Sequence, residues 1–271
     1  MDFFAVATKL LTTTKFVPRP LHTFNIGSTA FCINYDASLH CVAIDDIATM
    51  FGLPDLCAAL GDYVRYEGEF SQNFHKFGSR RSAEDVQLPF RDLQIWYKVY
   101  LQQKCYHDPS VVAPTFTIHA CHPNRSSKGQ YDFAIMNTDQ EFVWPSSSLQ
   151  GHSVVNVCLI MCLASPKNQV GPYSHRFLVY AQRFDIVPQG NSGVECTTGL
   201  HVLKRATQHV SGMTSTLGDI FPLDQLRSYM HVVPRFGRVA DNRLTSSNFV
   251  EYPESFFLNK YIDKDFFYAI S

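Results

Sequence analysis

The apolar residues of this chain fall in short blocks, and Gly, Pro, Asn and Asp separate one block from the next. Such a pattern predicts many short strands joined by turns. The organising stretch is Gly218 to Gly237, GDIFPLDQLRSYMHVVPRFG. Within it, Ser228 to Pro234 reads as one strand buried on both faces, because Tyr229, His231 and Val233 alternate with Met230 and Val232. Pro222 to Leu226 is the turn before that strand. Arg176 to Pro188 and Gly199 to Arg205 are two further strands suited to pair with it, so Gly199 to Pro234 is expected to form the closing half of a small β-barrel.

Elsewhere the period changes. Residues 2–11 place Phe3, Phe4, Val6, Ala7, Leu10 and Leu11 at helical spacing, and Pro18 and Pro20 end that helix. His22 to Ile26 and Ala30 to Tyr35 are β-like runs joined by Gly27-Ser28. Ile44 to Val64 predicts two helices: Asp45 and Asp46 favour the first N-terminus, Gly52 ends that helix and Pro54 opens the next. Phe70 to Gln87 is a polar loop. Leu93 to Gln103 alternates along its whole length and predicts a single half-buried strand. Tyr131 to Asn137 is another strand. Ser153 to Ala164 is read as a central one covered on both faces, with Val155, Val157, Leu159 and Met161 opposing Val154, Cys158, Ile160 and Cys162. Trp144 to His152 is a loop between them. Phe256 to Tyr261 and Asp263 to Ile270 read as a helical tail, with Asp263 as an N-cap. The expected fold is α+β: a mainly antiparallel β-barrel or sandwich core with a helical N-terminal segment and a helical C-terminal tail. The expected division is residues 1–87 as the N-terminal segment and 88–271 as the core with its C-terminal helices.

Composition narrows the class. With 45% apolar and 14% aromatic residues among 271, the chain is globular and can bury a substantial core. A net charge of −1 provides no global field toward nucleic acid or an anionic membrane, so any such contact must use a local patch. The apolar N-terminus is too short for a secretion signal and no run approaches a membrane span, so no membrane partner is expected. The eight cysteines sit mostly in apolar runs, which predicts free thiols in a reducing, intracellular compartment.

Candidate chemistry is sparse. Ile44 to Val64 imitates a helix-turn-helix, but Asp55 to Tyr63 carries two acids and no base, so a helical hairpin packed on a sheet is the better reading. Cys105, His107, His119, Cys121 and His122 lack the spacing of a structural zinc site. Asp45-Asp46 are adjacent and would diverge on a helix, and Asp132, Asp139 and Glu141 have no fixed partner, so no catalytic set or cofactor is assigned. Trp96, Trp144 and Tyr180 are the aromatics that a methyl-lysine cage would use. Two basic knots remain as nucleic-acid candidates: Arg80-Arg81, and Arg235, Arg238 and Arg243 after the closing strand.

Taken in order, several runs carry a resemblance. They include Phe16-Val17-Pro18-Arg19-Pro20, Ile44-Asp45-Asp46-Ile47-Ala48, Tyr106-His107-Asp108-Pro109 and Trp144-Pro145-Ser146-Ser147. They continue through Leu200-His201-Val202-Leu203-Lys204-Arg205, Val233-Pro234-Arg235-Phe236-Gly237 and Phe257-Leu258-Asn259-Lys260-Tyr261. Along nearly all its length the chain resembles the C-terminal region of the Plavaka-type transposases of fungal DNA transposons. In such elements the zinc-finger and acid-triad nuclease parts lie upstream. The resemblance therefore implies a non-enzymatic accessory module, nuclear, contacting duplex DNA or a protein partner. The second reading is a chromatin or peptide reader on a barrel similar to the bromo-adjacent-homology module. The third is a residual metal-dependent nuclease.

Overall fold

The computed structural model describes residues 2–13, 22–70, 82, 86–123, 129–164, 176–189, 193–210, 213–216, 218–237, 239, 242–245 and 249–271. The first half of the chain supplies α1 (Phe3–Thr13), β1 (Thr23–Ile26), β2 (Thr29–Cys32), β3 (Leu39–Ala43), α2 (Ile44–Phe51), α3 (Leu56–Phe70), β4 (Asp92–Trp96), β5 (Lys98–Gln103), β6 (Phe116–Cys121), β7 (Gln130–Tyr131) and β8 (Phe133–Asn137). The second half supplies β9 (His152–Leu163), β10 (Phe177–Val187), β11 (Val202–Arg205), the small hairpin β12 (Gln208–Val210) and β13 (Met213–Ser215), β14 (Gly218–Pro222), β15 (Leu226–Met230), β16 (Val232–Pro234), β17 (Phe256–Leu258) and α4 (Lys264–Ile270). The fold is α+β, and all the strand pairings are antiparallel.

Two long strands form the spine. β9 and β10 lie side by side, with Leu178 opposite Met161 and Phe184 opposite Val154. Each is long enough to hold two neighbours in succession on its free edge. β9 pairs with β8 along its first half and β4 along its second, and β10 pairs with β14 and then β11. A ten-stranded sheet results, while β1, β2, β5, β6 and β7 make a second sheet of five.

The two sheets share a core. Phe31, Val99, Leu101 and Ile118 of the smaller sheet meet Val155, Val157, Ile160 and Val179 of the larger. The chain also passes directly between the sheets at two single residues: Tyr97 separates β4 from β5, and Asp132 separates β7 from β8. At these corners the backbone stays bonded, with Ala120 N donating to Tyr97 O at 2.8 Å, Asp132 N to His119 O at 2.9 Å and Val157 N to Asp132 O at 2.9 Å. Corners made by strands that change sheets are a known way to join two packed layers.

The outer face of the large sheet carries two separate caps. Twelve residues make β9 about 40 Å long at the usual rise per strand residue, and α3, at fifteen residues, reaches only about 22 Å. One helical hairpin therefore cannot cover the whole spine. The α2–α3 hairpin covers the half built on β4, β14, the end of β9 and the start of β10, burying Ile47, Leu56 and Leu60 against Leu159, Leu178 and Ile220. The other half, built on β8, β11, the start of β9 and the end of β10, is closed by the sheet's own end strands β17 and β16 together with α4, where Phe256, Leu258 and Phe266 meet Val154, Phe184 and Leu203. Gly52 ends α2 in the left-handed conformation (φ 66°) and its N–H returns to the last turn. Asp55 then fastens the hairpin to the sheet: the Tyr180 hydroxyl donates to its carboxylate at 2.6 Å and Gly218 N does so at 3.3 Å. A side chain at Gly218 would collide with the Tyr180 ring, 2.1 Å from its Cζ, so the close approach of β14 requires glycine there.

The hairpin over Ile44 to Val64, the β1–β2 hairpin, the covered β9 strand and the Asp263 cap of α4 all follow the sequence pattern. Asp263 accepts from Phe266 N at 3.1 Å. Several expectations are corrected. Among the described residues the strands do not close into a barrel, since β15 and β16, the ends of the main path, do not pair with each other. Ser228 to Pro234 is two strands split at His231: β15 alternates buried and half-buried positions and pairs with β8, whereas β16 pairs with β17. Leu93 to Gln103 and Tyr131 to Asn137 each break where the chain changes sheets. Phe256 to Leu258 is a strand rather than helix, held between β11 and β16. In β9 the expected side-chain parity fails at a bulge: Tyr180 faces Leu159 and Ala181 faces Val157, leaving Cys158 as the extra residue. Val155 and Val157 therefore share the inner core with Ile160 and Cys162, while Leu159 and Met161 turn outward under the hairpin. Side chains of residues 10–13 and the Pro18–Pro20 helix stop lie outside the described residues.

Candidate functional site

Between the two caps the spine is left uncovered, and the gap is a cleft of about 1170 Å³. Along β10, the outward positions run Leu178 and Tyr180 under the hairpin, then Gln182, then Phe184 under the C-terminal cap. Along β9, Asn156 occupies the matching place and lies opposite Gln182 in register. Thus each spine strand turns polar where neither cap covers it. Thr49 to Leu53 form one wall, and Met230 to Pro234 with Val250 and Glu251 form the other.

The floor is internally bonded except at two groups. Asn156 is 3% exposed; its Nδ2 donates to Tyr131 O at 3.1 Å and Asp132 O at 3.3 Å, and its Oδ1 accepts from Cys158 Sγ at 3.4 Å. Burial pushes the Cys158 thiol up to about 12, so it remains a donor rather than a nucleophilic thiolate. The Gln182 side chain, half-buried, makes no hydrogen bond among the described residues. Arg205, at the end of β11, donates through Nη2 to Val250 O and lays its guanidinium 5.8 Å from the centre of the Phe184 ring. Burial lowers its pKa, with Cys158 and Glu251 opposing that shift. It has no ion pair among the described residues and lines the cleft.

At the Asp132 corner, His119 Nδ1 lies 2.8 Å from Asp132 Oδ2, His119 N donates to the same oxygen at 2.8 Å, and Gln130 Nε2 donates to Oδ1 at 3.0 Å. Asp132 lines the cleft with its carboxylate already engaged on both oxygens. Burial raises the pKa of Tyr131 and of Tyr229, which also line it; Cys158 adds to the first shift and Asp132 to the second.

The predicted arginines divide. Arg80, Arg81 and Arg238 lie outside the described residues. Arg235 and Arg243 are exposed on segments flanking the cleft, next to its lining residues Pro234, Phe236 and Leu244. Arg235 stands 5.6 Å over the Phe257 ring and Arg243 5.2 Å over the Tyr252 ring. The Arg235 backbone is held by its N–H to Ser255 O at 2.9 Å, extending the β16–β17 ladder.

The other candidates do not assemble. Trp96, Trp144 and Tyr180 are 3%, 4% and 1% exposed and belong to three different core clusters, so they form no cage. The Trp96 indole donates to Asn34 O and the Tyr180 hydroxyl to Asp55, as buried polar tips require. The apolar face of α3 is spent on the sheet. Cys105 and His107 lie beside α4, where His107 meets Tyr268, whereas His119 pairs with Asp132 and His122 with Tyr97. Asp139 accepts from Glu141 N in the turn after β8. Among the described residues no three His, Cys, Asp or Glu side chains stand together to hold a metal ion, and no helix is long and apolar enough to cross a membrane.

A family described as a domain of unknown function (DUF6830) matches residues 4–203. The chain belongs to the DUF6830 family. No curated protein and no solved structure matches it. The DUF6830 span takes in the smaller sheet, the helical hairpin and, of the larger sheet, β3, β4, β8 and the spine strands that carry Asn156 and Gln182. It stops two residues before Arg205, and the C-terminal cap with Arg235 and Arg243 lies beyond it.

Sequence reasoning missed Asn156, Gln182 and Arg205. A signal existed for the first: Asn156 is a lone polar residue inside the apolar run of β9, where an amide must find a hydrogen-bonding neighbour or water.

Proposed function

We propose that this chain is a non-enzymatic contact module, derived from a DNA-transposon transposase, that meets duplex DNA with the rim of the cleft. The observation supporting this most is the placement of Arg235 and Arg243, both exposed, both over aromatic rings and both flanking one opening. A guanidinium lying on a ring is oriented by cation–π attraction. Such forks suit phosphate oxygens, which position a protein on DNA without reading its sequence. A net charge of −1 supplies no global field toward a polyanion, so binding is weak and local. This reading places the protein in the nucleus.

The test is a fluorescence-anisotropy titration of a labelled duplex with wild type and the double variant Arg235→Ala, Arg243→Ala. Two lost phosphate contacts should flatten the log–log salt slope by about two and weaken binding at low salt. Stability should fall by no more than about 1 kcal/mol, the worth of exposed cation–π contacts. Unchanged duplex affinity in the double variant would refute the reading.

A further inference from the structure

The rim accounts for two arginines but not for the third. Arg205 sits at the floor, half-buried, with one backbone acceptor and an apolar ring behind it. A partly desolvated cation that no carboxylate contacts directly gains from a bound counter-charge, and Glu251 reaches Arg205 only through its field. Gln182 lies two residues from Phe184, the cross-strand partner of Arg205, on the same face and facing the same cleft. Diagonal positions of this kind stand about 7–8 Å apart, close enough for a long arginine and a glutamine to share one small group. The donors turned to the cleft are a guanidinium and an amide; no ion pair joins Glu251 to Arg205 among the described residues, and the Asp132 carboxylate is occupied by His119 and Gln130. An oxyanion matches this set.

We propose that the cleft floor holds the phosphate of an unpaired DNA strand, with Arg205 gripping the oxyanion and the Gln182 amide beside it. This rests on the DNA-contact reading of the rim and names the form of DNA that enters below it. A rigid duplex rests on the exposed Arg235 and Arg243, whereas a half-buried guanidinium is reached only by a flexible single backbone. The volume of about 1170 Å³ greatly exceeds one phosphate. Phe236 on the wall is 47% exposed, a surface of the kind on which an unpaired base stacks.

The experiment titrates the full chain with a labelled oligothymidylate of about 12 nucleotides and, separately, with the duplex. Arg205→Met should weaken strand binding about tenfold, the worth of a charge-assisted hydrogen bond, and leave duplex binding within about twofold. Gln182→Leu should weaken strand binding about threefold, again sparing the duplex. The rim pair reverses the order and loses more duplex than strand. Strand binding unaffected by Arg205→Met overturns the proposal, as does a chain that binds duplex but no strand. If neither DNA binds, the DNA-contact reading itself has failed. Should circular dichroism show that Arg205→Met does not fold, Gln182→Leu decides alone, and its binding the strand as wild type does overturns the proposal. Inorganic phosphate at matched ionic strength is the final arm. Competition only at concentrations far above the strand supports a strand site, and displacement at equal concentrations shows a free-phosphate site and overturns it.

Discussion

The two caps on the outer face of the spine solve the same problem differently. The hairpin cap is continuous in sequence, two helices and a left-handed glycine, and is fastened by one carboxylate, Asp55, to the tip of Tyr180 and the backbone of Gly218. The C-terminal cap is assembled from separate pieces, β16, β17 and α4, and is held by rings, with Phe184 meeting Phe256 edge-on at 5.5 Å and Phe133 at 5.0 Å. A polar fastening fixes one place and lets the rest be plain aliphatic packing. An aromatic fastening must fit everywhere at once, and it leaves ring faces such as Phe257 and Tyr252 at the surface on which arginines settle. The cleft is where two solutions meet without merging.

The sharpest way to break the comparison is Phe184→Ala. Phe184 is the ring on which the second cap closes and against which Arg205 rests, so its loss should cost about 3–5 kcal/mol by urea denaturation. Amide exchange should rise first in β17 and α4 and only later in α3. Equal loss of protection in both caps would show that they are a single unit.

Tyr180→Phe is the smaller counterpart on the hairpin side. Removing the hydroxyl leaves Asp55 short of a buried donor, at a cost of about 1.5–3 kcal/mol, while the ring and its contacts stay. Protection should now fall in α2 and α3 and remain in α4. A change below about 0.5 kcal/mol would mean that the carboxylate does not fasten this cap.

The smallest effect is that of pH. His152 opens β9 beneath Trp144, donates through Nδ1 to Gln150 O at 2.8 Å and buries Nε2 without a partner among the described residues. Burial lowers its pKa, the backbone bond opposing and Arg227 adding to the shift. The unfolded histidine takes its proton near about pH 6.5 and the folded one only below that. The stability due to the neutral form is thus full above about pH 6.5 and declines as the pH falls toward the folded value. The melting temperature should drop between pH 7.5 and 5.5, and His152→Gln should flatten that drop. A drop of the same size in the variant would assign it to other groups.

Most of the strands and the hairpin cap were legible because their signals are local: apolar runs, Asp45 and Asp46 at a helix start, Gly52 at its end, Asp263 before α4. What was not legible depends on partners far away. Nothing in the alternation of Leu93 to Leu101 tells that Tyr97 leaves one sheet for another, because the alternation continues on both sides of it. Phe256-Phe257-Leu258 is too short for its period to separate strand from helix, and pairing with β11 and β16 decides it. The bulge at Cys158 is equally silent. For the site, clustered charge pointed to Arg235 and Arg243, but Arg205 is one arginine at a strand end, and only the fold brings it under the rim.

The two crossings at Tyr97 and Asp132 bear on how this body comes apart. β4 and β5 are one uninterrupted length of chain serving different layers, and so are β7 and β8. Peeling the smaller sheet away would pull directly on β4 and β8, both of which are bonded to the same edge of β9. Neither layer can therefore open on a lower free-energy rung than the other. In native-state hydrogen exchange, the slowest amides of β5 and β6 should share a single opening with those of β9, so that the layers lose protection together.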